Sequence, residues 1–527
     1  MKKRKNIDLS KNDQLKKNLT DLIIYFFLFS LLLFPLWLNK KFGLLYYEQF
    51  RFNLTLIYYG YLDGDSNLID SFIKWLVIVP IFLSIILIFI KRIINFFNTN
   101  KDKSIDLIIR RFNFIKKNYY KYYIDKIFLW INFIIKKISY ILLIITIILF
   151  YFFTNFFVNI SNDVEMDQSN VDYLDLNYVY PDINSNGINS NLVLLYVESL
   201  ENTLTDKEIF NENLIKEISG IIEGESVKYF YQMPGQGFTF ASLVSTQCGI
   251  PLLQISNSHI NSKDLKGVNK FLPNLTCLTD ILAELDYENI FVSSDYLKNS
   301  MTDKFLLTHK YSKRYGLKEL IDMGYKTSKN AYHNKRLWSG GIHDNTLLDA
   351  SIDILKEHKK NSNKNFFMSI MTLDTHAPEG TPNQECLQNL MNKKDLINFT
   401  IKESFKCTSA YVRDFIDAFK ELNLENTNLI IIGDHLLMKT LKKKHKDRYI
   451  YNKFLIDDKF EIKRDYINYY DFYPSILEVM NFNINNPDGK VALGYSIFSN
   501  TDQYNLINFN LKGTSKLYDD FWNLYTQ

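Results

Sequence analysis

The stretch Tyr231-Gln-Met-Pro-Gly-Gln-Gly-Phe-Thr-Phe-Ala-Ser-Leu-Val-Ser-Thr-Gln-Cys-Gly-Ile-Pro251 joins a glycine-rich turn to a helical pattern. Its Pro-Gly-Gln-Gly segment predicts a tight turn, and residues 238–247 predict a helix with one apolar face. Thr239 then lies in the first helical turn, where free backbone N–H groups and the positive end of the helix dipole attract an anion such as phosphate. A hydroxyl placed there can attack a phosphoryl group, although an isolated Gly-x-Gly-x-Thr is more often a helix cap.

The composition indicates a membrane part joined to a soluble part. The chain has 527 residues, of which 47% are hydrophobic and 15% aromatic, yet its mean hydropathy is only −0.14. The formal net charge of +4 is too small to imply a nucleic-acid partner.

Three apolar runs, at about 22–38, 75–90 and 138–158, predict a membrane domain over residues 1–160. No small-residue cleavage site follows the first run, which favours an uncleaved helix over a signal peptide. The basic segment 91–137 is predicted to lie in the cytoplasm with the N-terminus, so the chain after the third run lies outside the cytoplasmic membrane, in the periplasm or extracellular space. Within that segment, residues 112–135 are interpreted as an interfacial amphipathic helix, with a fourth span as the alternative.

The remaining chain has the pattern of an α/β enzyme. Residues 161–190 are polar and acidic and indicate a linker, residues 191–500 are predicted to form the catalytic domain, and residues 501–527 are a C-terminal tail. Strand-length apolar runs alternate with helical patterns, and such continuous runs are typical of parallel sheets covered on both faces. The four predicted strands are 192–197, 289–292, 366–372 and 428–432.

Each predicted strand is followed by a side chain that can bind metal or phosphate. Because ligands in open α/β sheets bind at the carboxyl ends of the strands, these side chains should converge. A lone acidic residue after a strand is usually a helix cap, but four in succession are hard to explain as caps. The residues are Glu198, Asp295, Asp374 with His376, and Asp434 with His435.

The residues Glu198, Asp434 and His435 are expected to bind a divalent cation. Two carboxylates and an imidazole suit Mn²⁺, the preferred ion here, and also Zn²⁺ or Mg²⁺, with the Thr239 oxygen as a fourth ligand. Such a cation would lower the pKa of the Thr239 hydroxyl and make it a nucleophile at neutral pH. His376 is expected to face the phosphoryl group as a hydrogen-bond donor or as proton donor to the leaving group.

Several motifs then resemble the alkaline-phosphatase-like transferases of the sulfatase superfamily. Within it, the chain most resembles the phosphoglycerol transferases that decorate periplasmic glucans, and next the lipoteichoic acid synthases. The resemblance runs from about residue 191 to 498 and implies an extracytoplasmic α/β domain with a central, mostly parallel sheet behind N-terminal membrane helices. The motifs are Val197-Glu-Ser-Leu-Glu201, Gly235-Gln-Gly-Phe-Thr239, Ser245-Thr-Gln-Cys-Gly-Ile-Pro-Leu252, Leu373-Asp-Thr-His376 and Gly433-Asp-His435.

The resemblance implies that Thr239 takes a phosphoglycerol headgroup from phosphatidylglycerol and passes it to a glycan hydroxyl. By position it also makes Glu198, Asp434 and His435 the metal ligands. His376 becomes a contact to the substrate phosphate.

The resemblance also makes Asp295 a contact to the headgroup, but the residues that follow it differ from the family pattern. Lipoteichoic acid synthases follow this position with a Trp-x-Arg that grips phosphoglycerol, and here neither residue follows. Lys298 and Lys304 are the candidates to replace the arginine.

Three alternatives remain open at this point. Phosphoethanolamine transfer to a lipid or glycan uses the same chemistry. A sulfatase needs a Cys or Ser nucleophile in a Cys/Ser-x-Pro-x-Arg motif, which Thr239-Phe-Ala-Ser-Leu lacks. A non-enzymatic sensor of phospholipid headgroups would require vestigial metal ligands, and all of them are present.

One further group of residues has two interpretations. Trp338, His343 and Asp344 could line the acceptor side, but residues 342–355 equally fit an ordinary capped helix.

The four cysteines all follow the last predicted span, where an oxidising space permits disulfides. Their places beside the predicted site loops favour the pairs Cys248–Cys277 and Cys386–Cys407 over four buried thiols.

Overall fold

A computed structural model gives the architecture of the chain. It describes residues 2–42, 71–99, 126, 130, 137, 140–148, 173–185, 187, 189–233, 236–252, 270–298, 301–326, 341–377, 380–389, 400–437, 448–457, 459–501 and 516–522. The chain divides into two units, one formed by residues 1–41 and 68–158 and the other by residues 42–67 and 159–527.

The first unit contains two helices that are long and apolar enough to cross a membrane. Helix Lys2–Phe42 contains the apolar stretch Asn18–Trp37, and the second stretch, Ser71–Ile93, runs through a π-helical turn at Lys74–Ile78 into helix Val79–Thr99. Lys91 Nζ lies 2.8 Å from Asp21 Oδ2 and joins the two helices.

These stretches match the first two predicted spans in place. Of the third, only residues 140–148 are described, and they are helical. Apart from residues 126 and 130, the segment 112–135 lies outside the described residues.

The second unit is built on a six-stranded mixed sheet. In chain order its strands are β1 (Asn191–Val197), β2 (Glu288–Ser293), β3 (Lys313–Tyr315), β4 (Phe366–Met371), β5 (Thr427–Gly433) and β6 (Asn452–Leu455). The spatial order is β3-β2-β4-β1-β5-β6, and every neighbouring pair is parallel except β5 with β6. The prediction of a mostly parallel sheet is confirmed, with one antiparallel edge added.

Both faces of the sheet are buried, as the continuous apolar runs predict. Along β1, alternate side chains enter two hydrophobic cores. Leu192, Leu194 and Tyr196 contribute to one core, and Val193, Leu195 and Val197 contribute to the other. This period of two places one core on each face of the sheet.

Helices cover these faces and connect the parallel strands. The longest are Asp344–Asn361 and Ile401–Glu421, and the helix that begins the central motif is Thr239–Cys248. The shorter helices are Tyr173–Asn177, Lys207–Phe210, Lys216–Ser219, Leu278–Glu284, Thr302–Thr308, Leu317–Asp322, Gln384–Asn389, Phe472–Val479 and Lys516–Trp522, with 3-10 turns at Asn202–Thr205, Tyr469–Asp471 and Pro487–Gly489.

Parts of the predicted linker and tail belong to the folded unit. Strand Ile183–Ser185 pairs antiparallel with Phe482–Ile484, and two further short pairs are Tyr229–Phe230 with Tyr466–Ile467 and Lys490–Val491 with Gly494–Tyr495. In the tail, Trp522 is 5% exposed and packs edge-on against Phe271. A strand pair before residue 191 and a buried tryptophan after residue 500 therefore extend the domain on both sides.

Both predicted disulfide pairs are at bonding distance. Cys248 is bonded to Cys277 and Cys386 to Cys407, with Cα atoms 4.2 and 5.9 Å apart. The first bridge joins the C-terminal end of helix Thr239–Cys248 to the residue that precedes helix Leu278–Glu284. The second ties helix Gln384–Asn389 to helix Ile401–Glu421.

Candidate active site

The site begins where two neighbouring parallel strands end. Val197 of β1 pairs with Gly433 of β5, so the residues that follow, Glu198 and Asp434, emerge side by side. A Cβ on Gly433 would lie 1.9 Å from the carbonyl oxygen of Leu200, so only glycine fits this close approach.

The corner after β1 is held in a strained conformation. Ser199 has a φ of 56°, in the left-handed region that non-glycine residues rarely adopt. In this conformation its N–H donates to Asp434 Oδ1 across 2.7 Å, and its hydroxyl donates to Glu198 Oε1 across 2.8 Å. The strain is consistent with a site whose geometry the surrounding structure enforces.

Glu198, Asp434 and His435 form a buried cluster with the donor set of a metal site. Each is 1% exposed, and one ligand atom from each lies within 4.8 Å of the others. His435 Nε2 is 3.2 Å from Glu198 Oε1 and 3.5 Å from Asp434 Oδ2. The predicted ligand residues are therefore brought together.

Two features of the cluster fit a divalent cation. Asp434 Oδ2 is buried without a hydrogen-bond partner in the described part of the chain, and a buried carboxylate oxygen left in this way is costly. The Nδ1 of His435 lies 2.9 Å from the Leu436 carbonyl oxygen. A ring nitrogen facing a carbonyl carries the proton, so Nε2 is the nitrogen able to bind metal.

The charges in the cluster perturb one another strongly. Burial and the neighbouring Glu198 raise the pKa of Asp434 to about 7. Burial lowers the pKa of His435, but the carboxylates of Asp434 and Glu198 outweigh it and raise that pKa to about 10. Burial raises the pKa of Glu198, while His435 and His376 together bring it down to about 2. The two carboxylates therefore favour the protonated form of His435.

Thr239 lies at the edge of this cluster. It is the first residue of its helix, and the preceding Phe238 occupies the cap position without a side-chain cap bond. The Thr239 hydroxyl instead donates to Glu198 Oε2 across 3.2 Å. The helix-cap interpretation of Thr239 is therefore wrong, because its hydroxyl is directed to the candidate metal ligands.

His376 approaches the same cluster from the end of β4. The neighbouring Thr375 hydroxyl donates to the Glu198 carbonyl oxygen across 2.6 Å, and His376 contributes to the lowered pKa of Glu198. The Nδ1 of His376 lies 2.7 Å from the Ala377 carbonyl oxygen, which places the proton on Nδ1 and fixes the ring orientation. The side chain is half-buried.

His343 and Asp344 lie in a buried network beside the His376 loop. His343 Nδ1 is 3.0 Å from Asp374 Oδ1, and the Asp344 N–H donates to Asp374 Oδ2 across 3.0 Å. Asp344 in turn accepts from the N–H groups of Leu373 and Asp374 and from the Thr408 hydroxyl.

This network has the electrostatics of a structural core. Burial and the adjacent Asp374 raise the pKa of Asp344 to about 7. Burial lowers the pKa of His343, but Asp374 outweighs it and the net shift is upward. Asp344 is 0% and His343 6% exposed, so in this structure both support the loop that carries His376. Their predicted contact with an acceptor stays a prediction.

For two other residues predicted to contact substrate, Asp295 and Trp338, the structure gives less detail. Asp295 follows β2 and is half-buried, and its Oδ1 accepts from the Tyr296 N–H across 2.7 Å. Lys304 is half-buried and Lys298 exposed. Trp338 lies outside the described residues.

A second group with metal-binding side chains is not a metal site. Cys277, Asp280 and His309 also lie close together. Cys277 is bonded to Cys248, however, and His309 bridges Asp280 and the Phe271 carbonyl oxygen. This group braces a helix start.

Sequence reasoning missed Glu201 and Arg448. Both are buried and ion-paired next to the cluster of candidate metal ligands. Glu201 belongs to the Val-Glu-Ser-Leu-Glu motif, which was the only available signal, and nothing near Arg448 in the sequence distinguishes it.

Comparison with known proteins identifies a family and several relatives of this chain. A family model described as Sulfatase matches residues 190–482. Phosphoglycerol transferase I of Escherichia fergusonii is 32% identical over 251 residues, which cover 47% of this chain and 31% of that protein. The protein of the same name from Citrobacter koseri is 31% identical over 250 residues, again 47% and 31% of the two chains. The chain thus spans about a third of the length of these curated relatives.

Similar solved structures include a lipoteichoic acid synthase and an integral membrane phosphoethanolamine transferase. The lipoteichoic acid synthase LtaP of Listeria monocytogenes is 16% identical, with a TM-score of 0.47 over 63% of this chain and 82% of that one. The lipooligosaccharide phosphoethanolamine transferase EptA of Neisseria meningitidis is 11% identical, with a TM-score of 0.45 over 88% and 84% of the two chains.

Proposed function

This chain belongs to the sulfatase family, and on that premise we propose that it is a membrane-bound phosphotransferase. The reaction is transfer of phosphoglycerol from phosphatidylglycerol to a glycan hydroxyl. The observation that carries the proposal is the Thr239 hydroxyl bonded to Glu198, beside two further candidate metal ligands. The phosphoglycerol transferases of Escherichia fergusonii and Citrobacter koseri, which are 32% and 31% identical to this chain over 251 and 250 residues, support the same headgroup.

In the first step, Thr239 Oγ1 attacks the phosphorus of the lipid headgroup. A bond forms between Oγ1 and phosphorus, and the bond from phosphorus to the diacylglycerol oxygen breaks. The Thr239 proton passes to water, and the diacylglycerol oxygen gains a proton from His376 as it leaves. In the second step a glycan hydroxyl attacks the same phosphorus, gives up its proton, and Thr239 regains its hydroxyl.

The residues divide these tasks between them. Glu198 accepts the hydrogen bond from Thr239 and orients the attacking oxygen. The Nδ1 proton of His376 faces a backbone carbonyl, so His376 serves as proton donor to the leaving oxygen when Nε2 is protonated as well. Positions near the start of helix Thr239–Cys248 favour the negative charge of the phosphoryl group.

A single divalent cation completes the proposal, with Mn²⁺ as the preferred ion and Zn²⁺ or Mg²⁺ as alternatives. Glu198, Asp434, His435 and the Thr239 oxygen would hold it. When bound, it would lower the pKa of the Thr239 hydroxyl. Asp434 Oδ2 offers it a buried oxygen that lacks a partner among the described residues.

The sulfatase reaction itself is not proposed. Thr239 occupies the nucleophile position, and the following Phe-Ala-Ser-Leu supplies neither the proline nor the arginine of the sulfatase motif. A threonine cannot become formylglycine, because oxidation of its secondary alcohol would give a ketone.

The two apolar helices of the first unit support an anchor in the cytoplasmic membrane, with the catalytic domain outside the cytoplasm. Two disulfides in the catalytic unit agree with an oxidising compartment. A reporter fused after Asn191 should be active only outside the cytoplasm, and activity restricted to the cytoplasm would contradict this topology.

The donor is tested with the full chain in vesicles. Release of diacylglycerol is measured from phosphatidylglycerol and, separately, from phosphatidylethanolamine, each with and without Mn²⁺ and a glucan acceptor. We expect release from phosphatidylglycerol that depends on the cation. Release from phosphatidylethanolamine alone would establish the alternative headgroup. The sequence observation in favour of this alternative is that no Trp-x-Arg, which is typical of phosphoglycerol binding, follows Asp295.

A further inference from the structure

Glu201 and Arg448 form a buried ion pair between distant parts of the chain. Glu201 is 0% and Arg448 2% exposed. Arg448 Nε donates to Glu201 Oε1 across 3.0 Å, and Arg448 Nη2 donates to Oε2. A guanidinium that meets a carboxylate in this two-pronged way fixes direction as well as distance.

The pair also bonds both polar backbone groups of Leu437. Arg448 Nη2 donates to the Leu437 carbonyl oxygen across 2.7 Å, and the Leu437 N–H donates to Glu201 Oε2 across 2.9 Å. Leu437 comes two residues after His435, so the pair grips the segment that carries two candidate metal ligands.

The third candidate ligand lies on the other segment held by the pair. Glu198 comes three residues before Glu201, on the corner that follows β1. Two more hydrogen bonds are made by residues close in sequence to His435, Glu201 and Arg448. The Leu436 N–H donates to Gln232 Oε1 across 2.7 Å, and the Asn202 N–H donates to the Tyr449 carbonyl oxygen across 2.8 Å.

We propose that the Glu201–Arg448 pair is a positioning device for the metal site. It sets the separation between Glu198 and the Asp434–His435 segment, and thereby the affinity for the cation. The inference rests on the proposed metal site, but neither residue is assigned a contact with metal or substrate.

A buried ion pair does not stabilise a fold better than well-packed apolar side chains of similar volume. The free energy of unfolding alone is therefore a weak reason for this pair, whereas the directional bonds to Leu437 give it a specific one. The competing explanation is that the pair merely holds the fold together. The two explanations differ in what happens to metal affinity in variants that remain folded.

Two variants remove the directional bonds and are chosen to lower the free energy of unfolding as little as possible. The double substitution Glu201→Leu/Arg448→Met removes both charges at once, so no unpaired charge is left buried. Arg448→Lys keeps the positive charge but loses the planar guanidinium that donates to both oxygens of Glu201.

Arg464→Met is the matched control. Arg464 Nη1 lies 3.0 Å from Asp471 Oδ1, and in this pair Asp471 is buried and Arg464 half-buried. Within the described part of the chain, Arg464 bonds Asp471 and the Tyr495 carbonyl oxygen, and these bonds do not reach the segments that carry Glu198, Asp434 or His435.

The experiment titrates the full chain in detergent with Mn²⁺ alone, by calorimetry and by the paramagnetic resonance signal of free Mn²⁺. Thermal unfolding verifies that each variant is folded. For the double variant and for Arg448→Lys we expect Mn²⁺ affinity about tenfold to a hundredfold weaker than that of the unmodified chain, as for other residues that orient metal ligands. Arg464→Met should bind Mn²⁺ like the unmodified chain even where it lowers the melting temperature.

Unchanged Mn²⁺ affinity in folded Arg448→Lys would overturn the inference and leave the metal site standing. So would an equal loss in Arg464→Met, because affinity would then follow general stability. An unmodified chain that binds no Mn²⁺, Zn²⁺ or Mg²⁺ would instead overturn the metal site, and the positioning role with it.

Discussion

The hydroxyl of Thr239 donates to Oε2 of Glu198 across 3.2 Å, although the two residues lie 41 positions apart. One stands at the first turn of a helix and the other directly follows a buried parallel strand. Their meeting gives the candidate nucleophile a fixed direction relative to a cluster of candidate metal ligands.

Thr239→Ala should abolish transfer while leaving the fold intact. The substituted position is half-buried and begins a helix, where alanine is well tolerated. Because no second hydroxyl replaces the nucleophile, we expect a loss of roughly a thousandfold or more in turnover. Thr239→Ser, which keeps a hydroxyl, is the control and should retain much more activity. Turnover of Thr239→Ala close to that of the unmodified chain would refute the mechanism.

Metal affinity should rise with pH. The carboxylates of Asp434 and Glu198 outweigh burial and hold the pKa of His435 at about 10, so at neutral pH a cation must displace a proton from the imidazole. With one proton released, affinity should increase about tenfold per pH unit above pH 7 and more steeply below it, where Asp434 also carries a proton.

Calorimetry in two buffers of different ionisation enthalpy counts the protons released. Affinity for Mn²⁺ that stays constant from pH 6.5 to 8.5 would show that His435 is not a ligand, or that it is neutral before the metal binds.

Asp344 should make the folded state less stable as pH rises. Burial and Asp374 raise its pKa to about 7 in the folded protein, whereas an unfolded aspartate titrates near pH 4. Between these values the folded state keeps a proton that the unfolded state has lost. The free energy of unfolding therefore falls as pH increases from about 4 to about 7, by at most roughly 4 kcal/mol from this group.

Asp344→Asn removes the titrating group but keeps an oxygen for the N–H groups of Leu373 and Asp374. The difference in melting temperature between the unmodified chain and this variant should vary with pH over that window. A constant difference would mean that Asp344 does not titrate there.

Loss of either disulfide should destabilise the catalytic unit. The bridged cysteines are 29 and 21 residues apart, and loops of this size are worth about 3 kcal/mol in the chain-entropy model. Cys386→Ala/Cys407→Ala and Cys248→Ala/Cys277→Ala should each lower the melting temperature. Peptide mapping without reductant checks the pairing itself, which a Cys248–Cys386 linkage would disprove.

The sheet was largely predictable because buried parallel strands are continuous apolar runs. Strand β5, for example, is predicted as 428–432 and observed as Thr427–Gly433. The edge strands β3 and β6 were not predicted. Lys-Arg-Tyr in β3 is short and polar, and Asn-Lys-Phe-Leu in β6 mixes charged and apolar residues, so neither has a strand pattern.

The candidate site was predictable where a side chain directly follows a strand. Glu198, Asp434 and His435 do so, and their convergence follows from the parallel order. The position of Asp344 could not be derived in the same way, because an acidic residue at a helix start looks the same whether it faces solvent or a buried neighbour. The Glu201–Arg448 contact joins residues 247 positions apart, which local patterns cannot indicate.

The central claim is that Thr239 carries the transferred headgroup. Its most direct test is mass spectrometry of the full chain after incubation with phosphatidylglycerol and Mn²⁺, without a glycan acceptor, with Thr239→Ala treated in parallel. The account predicts a phosphoglycerol adduct on Thr239 that disappears when acceptor is added and never forms in Thr239→Ala. An adduct on any other residue, or turnover of the lipid with no adduct on Thr239 under rapid quenching, would contradict it.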